Sequence, residues 1–239
     1  MLTNVQTAEK VANLLLSYGV VKLSPEAPFT WASGLKSPIY CNNRELLSIA
    51  DDVDRYEIVR GIVETFECNF DIDDFDPRFS LVGVATGAIP WGAMAAYLGE
   101  YPYGYVIAAP KDHGADSNQP TPEEEQQKLA KCLIGKFDEQ SRIVIIEDLI
   151  STGGSSMHAV KAVRAAGYDV AGMVALFSYG FEEASKAFDD ADCSVVVLCD
   201  YNTLIRVAVE EGYITEEQQA TLKEWRMDHR AWSKAHGGK

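Results

Sequence analysis

Short apolar runs alternating with helical patterns constrain this chain more than any other feature. FSLVGVA (79–85), YGYVIAA (103–109), RIVIIED (142–148), VAGMVALF (170–177) and SVVVLCD (194–200) read as buried strands. Between them, IPWGAMAAYLG (89–99), SSMHAVKAVRAAG (155–167) and FEEASKAF (181–188) carry helical spacing. Strands apolar on both faces and separated by helices are the pattern of a mostly parallel sheet flanked by helices, an α/β fold. With 239 residues, 47% of them hydrophobic, the chain can bury the core of one such domain with a small appendage.

The flanks are more local. Thr3 and Gln6 form a capping-box pattern ahead of a helical stripe at Ala8, Val11, Ala12 and Leu15. Residues 22–44 look irregular, and 54–67 is helical through Ile58, Val59, Ile62, Val63 and Phe66. NTLIRVAVEEG (202–212) and TEEQQATLKEWRMDH (215–229) predict two C-terminal helices, the second with a Thr215–Gln218 capping box. Residues 110–141 are polar and too long for an ordinary connection, which predicts a mobile functional loop or an insertion, with a short helix in PEEEQQKLAKCL.

The net charge of −15 repels a nucleic-acid backbone, so no nucleic-acid partner is expected, although a small anion can still bind in a locally positive pocket. The five cysteines are scattered without a CxxC pair, which argues against zinc and for free thiols in a reducing cytoplasm. The first residues lack a signal-peptide pattern, and no apolar run approaches the roughly 18 residues of a membrane span. The expectation is a soluble, cytoplasmic protein with no membrane partner.

Residues 143–156, IVIIEDLISTGGSS, carry the chemistry. Ligands of open α/β sheets bind at the carboxyl ends of strands, where Glu147 and Asp148 stand. Gly153 and Gly154 permit a tight turn with exposed N–H groups, and the following helix N-terminus adds partial positive charge. Ser151, Thr152, Ser155 and Ser156 add hydroxyls. No Lys follows the glycines, so this is not a Walker loop. Two carboxylates before an anion cradle make sense if the phosphate is attached to a sugar, whose vicinal hydroxyls the acids accept from. Spacing alone leaves a second reading open, a capped strand–turn–helix with surface acids.

IVIIEDLISTGGSS resembles the phosphoribosyl-pyrophosphate (PRPP) motif of the type I phosphoribosyltransferases. FTWASGLKSPIYCNNR (29–44) resembles the N-terminal hood of the orotate phosphoribosyltransferase family, with its FT-x-x-SG-x-x-SP-x-Y pattern. PKDHG (110–114) is similar to that family's catalytic loop and VATGAIPWGA (84–93) to its pyrophosphate loop. The resemblance spans roughly 4–228. It implies the type I phosphoribosyltransferase fold with a small N-terminal hood in 1–50, and a core in 51–239 with a mobile loop at about 107–141.

The resemblance also implies a reaction: orotate plus PRPP gives orotidine 5′-monophosphate and pyrophosphate, with Mg²⁺ carried by PRPP and no protein metal ligand. It assigns Glu147 and Asp148 to the ribose hydroxyls, with Asp148 counted among the catalytic residues. Leu149, Ile150, Ser151, Thr152, Gly153, Gly154 and Ser155 would hold the 5-phosphate, and Thr86 and Gly87 the pyrophosphate. Tyr40, Ser151 and Arg44 fall to the orotate site, Arg44 either on the substrate carboxylate or bracing the hood. Lys111 and His113 become catalytic residues on a loop that closes over the neighbouring subunit's site, which implies a homodimer. His158, His229 and His236 read as helix-face and tail residues.

Two departures stand out. The family pattern YVR-x-x-PK-x-HG becomes YVIAAPKDHG here, with Ile107 in place of arginine and Ala108 where a lysine often stands. The stretch GADSNQPTPEEEQQKLAKCL then lengthens the loop. Either Lys128, Lys131 or Lys136 replaces the lost charge, or the protein is a PRPP-binding relative with impaired catalysis. A purine phosphoribosyltransferase is disfavoured, because purine enzymes lack the hood segment.

Overall fold

The computed structural model describes residues 4–70, 78–109 and 121–239. The chain begins with α1 (Val5–Ser17), capped by Asn4, whose side chain accepts from the Thr7 N–H at 2.8 Å. Thr3 of the expected capping box lies outside the described residues. The α1 stripe buries Ala8, Val11, Ala12, Leu15 and Leu16.

The segment expected to be irregular holds two small antiparallel ribbons: β1 (Val21–Leu23) pairs with β4 (Ile39–Cys41), and β2 (Phe29–Thr30) with β3 (Lys36–Ser37). Strands of two or three residues are too short to show a period. The β2–β3 turn closes through the Trp31 N–H on the Leu35 carbonyl and the Gly34 N–H on the Trp31 carbonyl. Gly34 has φ +87°, a conformation glycine takes without a Cβ penalty. Helices α2 (Asn43–Ile49) and α3 (Asp52–Asn69) follow.

The alternating run then forms β5 (Phe79–Val84), α4 (Ala88–Leu98), β6 (Tyr103–Val106), α5 (Pro122–Ala130), β7 (Leu133–Ile134), β8 (Arg142–Ile150), α6 (Gly154–Ala165), β9 (Asp169–Ser178), α7 (Glu182–Asp190) and β10 (Val195–Asp200). Helices α8 (Tyr201–Glu210), α9 (Glu216–Met227) and α10 (His229–Ala235) complete the chain. The sheet order is β10-β9-β8-β5-β6-β7. β6, β5, β8 and β9 pair in parallel, and β7 adds an antiparallel edge to β6. All six β5 residues are buried, as are Ile143 to Ile146 in β8, the expected signature of strands covered on both faces.

Three differences from the sequence reading have local causes. The long polar stretch contains the expected short helix, α5, with Thr121 and Glu124 forming a capping box, and then re-enters the sheet as β7. The two C-terminal helices expected are α8 and α9, and a third, α10, follows them, because Asp228 ends α9 and caps α10 by accepting from the Ala231 N–H at 2.8 Å. The chain also divides into two compact units, one of Glu57–Leu198 and the other joining residues up to Tyr56 with Cys199–Lys239. The division at residue 50 expected from sequence left residues 199–239 with the core. They pack instead with the N-terminal part, where Arg206 pairs with Glu9 at 2.6 Å and Trp225 meets Trp31 edge-on at 5.9 Å. Among the described residues no helix is long and apolar enough to cross a membrane.

Candidate active site

In the Glu57–Leu198 unit, β5 continues through α4 to β6 on one side, and β8 through α6 to β9 on the other. The strand order therefore reverses between β5 and β8, and ligands of open α/β sheets bind at the carboxyl ends of strands at such a point. The β5 end leads into Ala85-Thr86-Gly87 and the β8 end into Glu147 to Gly153, so the fold brings the two predicted PRPP loops side by side. Gly87 makes the closest approach: a Cβ there would overlap the Asp148 carboxylate. The Ala85–Thr86 peptide is cis. Ala85 N–H donates to the Val106 carbonyl at 2.8 Å, which ties this loop to the end of β6.

Glycines and one tyrosine set the loop's height. The Tyr103 hydroxyl donates to the Ile89 carbonyl at 2.6 Å, holding the first turn of α4. Its ring lies over Gly92, where a Cβ would come within 2.8 Å, and its hydroxyl lies where a Gly83 Cβ would be at 2.5 Å. Burial pushes the Tyr103 hydroxyl pKa far upward, so it stays a neutral donor.

Gly153, at φ +81°, turns the chain into α6. The first N–H groups of a helix have no partner within it, so the N-termini of α4 and α6 both bring backbone donors and partial positive charge beside the acidic pair. Thr86, Thr152, Gly154 and Ser155 are exposed around this space, while Leu149 and Ser151 are half-buried and Ile150 is buried.

The two acids are not equivalent. Glu147 is 2% exposed: its Oε1 accepts from the Asp148 N–H at 3.2 Å, and its Oε2 accepts from the hydroxyls of Ser155 at 3.3 Å and Ser156 at 3.0 Å. Burial first, and then the neighbouring Asp148 charge, push the Glu147 carboxyl up to about 8. Sequence reasoning gave both acids to the sugar. The structure turns Glu147 onto the start of α6 and leaves Asp148 the more accessible of the two. Adjacent residues of a strand point to opposite faces, and buried Ser156 receives the Glu147 carboxylate.

Lys111 and His113 lie outside the described residues. Ile107, where the family pattern has arginine, is half-buried with both backbone groups engaged. Its N–H donates to the Cys132 carbonyl at 3.0 Å, and its carbonyl accepts from His158 Nε2 at 3.0 Å. His158, expected as a bare helix-face residue, thus connects α6 to the end of β6. Ala108 is exposed, as are Lys128, Lys131 and Lys136.

Tyr40 and Arg44 belong to the other compact unit. Tyr40, in β4, is 39% exposed, with Phe29 5.8 Å away ring to ring. Arg44 is exposed in the first turn of α2. Among the described residues, no three or more His, Cys, Asp or Glu side chains gather where they could hold a metal ion. The carboxylate pair alone does not make a closed cation site.

The phosphoribosyl transferase domain family matches residues 56–213. An orotate phosphoribosyltransferase of Bacteroides fragilis is 43% identical over 221 residues, which cover 92% of this chain and 94% of that protein. The chain belongs to the orotate phosphoribosyltransferase family. A member from Cutibacterium acnes is likewise 43% identical, over 98% of this chain and 99% of its own. The crystal structure of orotate phosphoribosyltransferase from Aeropyrum pernix shares the fold, with a TM-score of 0.65 at 24% identity over 86% of this chain and 99% of that one. The family's α/β architecture, a mostly parallel sheet flanked by helices, is the one described above.

Proposed function

We propose that this chain transfers the 5-phosphoribosyl group of PRPP to orotate, giving orotidine 5′-monophosphate and pyrophosphate in pyrimidine synthesis. The observation that carries the reading is the contact of Gly87 with Asp148, which sets an anion-binding helix N-terminus on either side of a carboxylate. It is supported by the named relatives. In the reaction, N1 of orotate bonds to C1 of the ribose as the C1–oxygen bond to pyrophosphate breaks; that oxygen leaves with the electron pair, and the proton lost from N1 passes to the departing pyrophosphate.

Asp148 accepts from the ribose hydroxyls, and Glu147 braces it from behind. Leu149 to Ser155 hold the 5-phosphate through backbone N–H groups and hydroxyls, and Thr86 and Gly87 offer backbone N–H groups to the pyrophosphate. Lys111 and His113 neutralise the leaving group and exclude water, acting on the neighbouring subunit's site of a homodimer. Tyr40, Ser151 and Arg44 recognise the base. Mg²⁺ carried with PRPP would supply charge neutralisation on the pyrophosphate, with no protein ligand assigned. Five free thiols favour a reducing, cytoplasmic setting.

Ile107 favours a second reading, a relative that binds PRPP without turning it over, because an aliphatic side chain cannot replace a forked cation. Loss of orotate absorbance with PRPP and Mg²⁺ separates the two. Turnover by the wild type supports the transferase. An inert wild type that gains activity on Ile107→Arg supports the second reading. A chain that uses adenine or hypoxanthine instead removes both.

A further inference from the structure

The segment 29–41 is anchored from a part of the chain the family motifs do not include. Ser233, in α10, is fully buried, and its hydroxyl works in two directions. It accepts from the Lys36 N–H at 2.8 Å and donates to the Lys239 carbonyl oxygen at 3.1 Å. Gly237, at φ +79°, turns the chain back after α10. The Gly238 N–H then donates to the Ser233 carbonyl at 2.8 Å, and the Lys239 N–H to the Gly34 carbonyl at 3.2 Å. Gly238 has no room for a side chain: a Cβ would overlap the Ser233 hydroxyl and stand 2.8 Å from the Lys36 nitrogen. The turn at Gly34 and the start of β3 are thus clasped between Ser233 and residues 237–239.

From Lys36 the restraint runs to Tyr40 through short links. The buried Ser37 hydroxyl donates to the Ile39 carbonyl at 2.7 Å and accepts from the Ile39 N–H at 3.2 Å, closing the turn around Pro38. Trp31 Nε1 donates to the same Ile39 carbonyl at 3.2 Å, and the Trp31 ring rests edge-on against Trp225. Each bond has a buried or half-buried partner, so removing the Ser233 hydroxyl leaves the Lys36 N–H without its acceptor. A hairpin of two-residue strands has little stability of its own and takes its geometry from such contacts.

We propose that Ser233, closed over by Gly237–Lys239, is a positioning residue that fixes the 29–40 segment and thereby sets the affinity for orotate. The proposal rests on the reading that this segment recognises the base. The test is steady-state kinetics of the full chain, varying orotate and PRPP separately, for the wild type, Ser233→Ala and Gly238→Ala, with melting temperatures alongside. The expected result is a rise in KM for orotate of about five- to tenfold in each variant, with kcat and KM for PRPP within about twofold of wild type. Gly238→Ala attacks the clasp from outside and keeps the Ser233 hydroxyl, so it carries the test if Ser233→Ala does not fold. Unchanged orotate KM in a folded variant, or parallel changes in kcat and both KM values, overturns the proposal while leaving the transferase reading in place. A wild type that turns over PRPP with a different base removes the base-site reading, and the proposal with it.

Discussion

Gly87 has no side chain because the Asp148 carboxylate occupies the place where its Cβ would be. The loops that follow the paired strands β5 and β8 meet at this contact. A methyl group at 87 must push Asp148 or its own loop aside. In the proposed reaction Asp148 holds the ribose, and displacements near 1 Å at a reacting centre cost about a hundredfold in rate. Gly87→Ala is therefore expected to lower kcat/KM for PRPP by about two orders of magnitude. The melting temperature should fall only a few degrees, because the loop is short and lies at the end of the strand. Wild-type kinetics in this variant would remove the contact from the mechanism.

Glu147 gives the ligand-free protein a pH dependence of definite sign. Its folded pKa is raised above the unfolded value, so the folded state binds the extra proton. The associated stability is fully present below about pH 4.5 and is lost as pH rises through about 8. Glu147→Gln keeps an acceptor and stays neutral throughout that window. Its melting temperature should fall less between pH 5 and pH 8 than that of the wild type, by roughly 5 °C across the interval. Parallel melting curves for the two proteins would show that Glu147 ionises without cost in its pocket.

Trp225 belongs to the unit that joins the N-terminal residues with 199–239. Its ring is 1% exposed and meets Trp31 edge-on at 5.9 Å and Tyr201 at 5.8 Å. Trp225→Ala leaves a cavity about the size of an indole, and such truncations cost about 3–5 kcal/mol. The expected outcome is a lower denaturant midpoint, reported by the fluorescence of the remaining tryptophans. A midpoint within error of wild type would show that α9 contributes little to that unit.

The sheet was legible because its strands are apolar on both faces. FSLVGVA and RIVIIED predict β5 and β8 within a few residues, and the glycines at 153–154 mark the turn into α6. What escaped has identifiable causes. β7 is two residues long and lies inside a charged stretch, so no period announces it. β1 to β4 owe their form to turns and to side-chain bonds from Ser37 and Trp31, which are tertiary facts. The association of 199–239 with the N-terminus depends on contacts nearly two hundred residues apart, such as Arg206 with Glu9. His158 looked like a helix-face residue because its acceptor, the Ile107 carbonyl, is 51 positions away and is a backbone atom.

Ile107 is the final described residue of the chain's run along β6 whose two backbone groups are both held, its N–H by Cys132 and its carbonyl by His158. Because a carbonyl only accepts, His158 must carry its proton on Nε2, and that proton is present in both the neutral tautomer and the cation. Glutamine places an amide nitrogen at a similar reach, whereas alanine leaves the carbonyl to water. His158→Ala is expected to lose about 1 kcal/mol of stability and to lower kcat for the proposed transfer several-fold, while His158→Gln retains most of both. Steady-state kinetics and denaturant melts of the three proteins decide it. If glutamine behaves like alanine, the histidine ring contributes by its packing and not by the bond to Ile107.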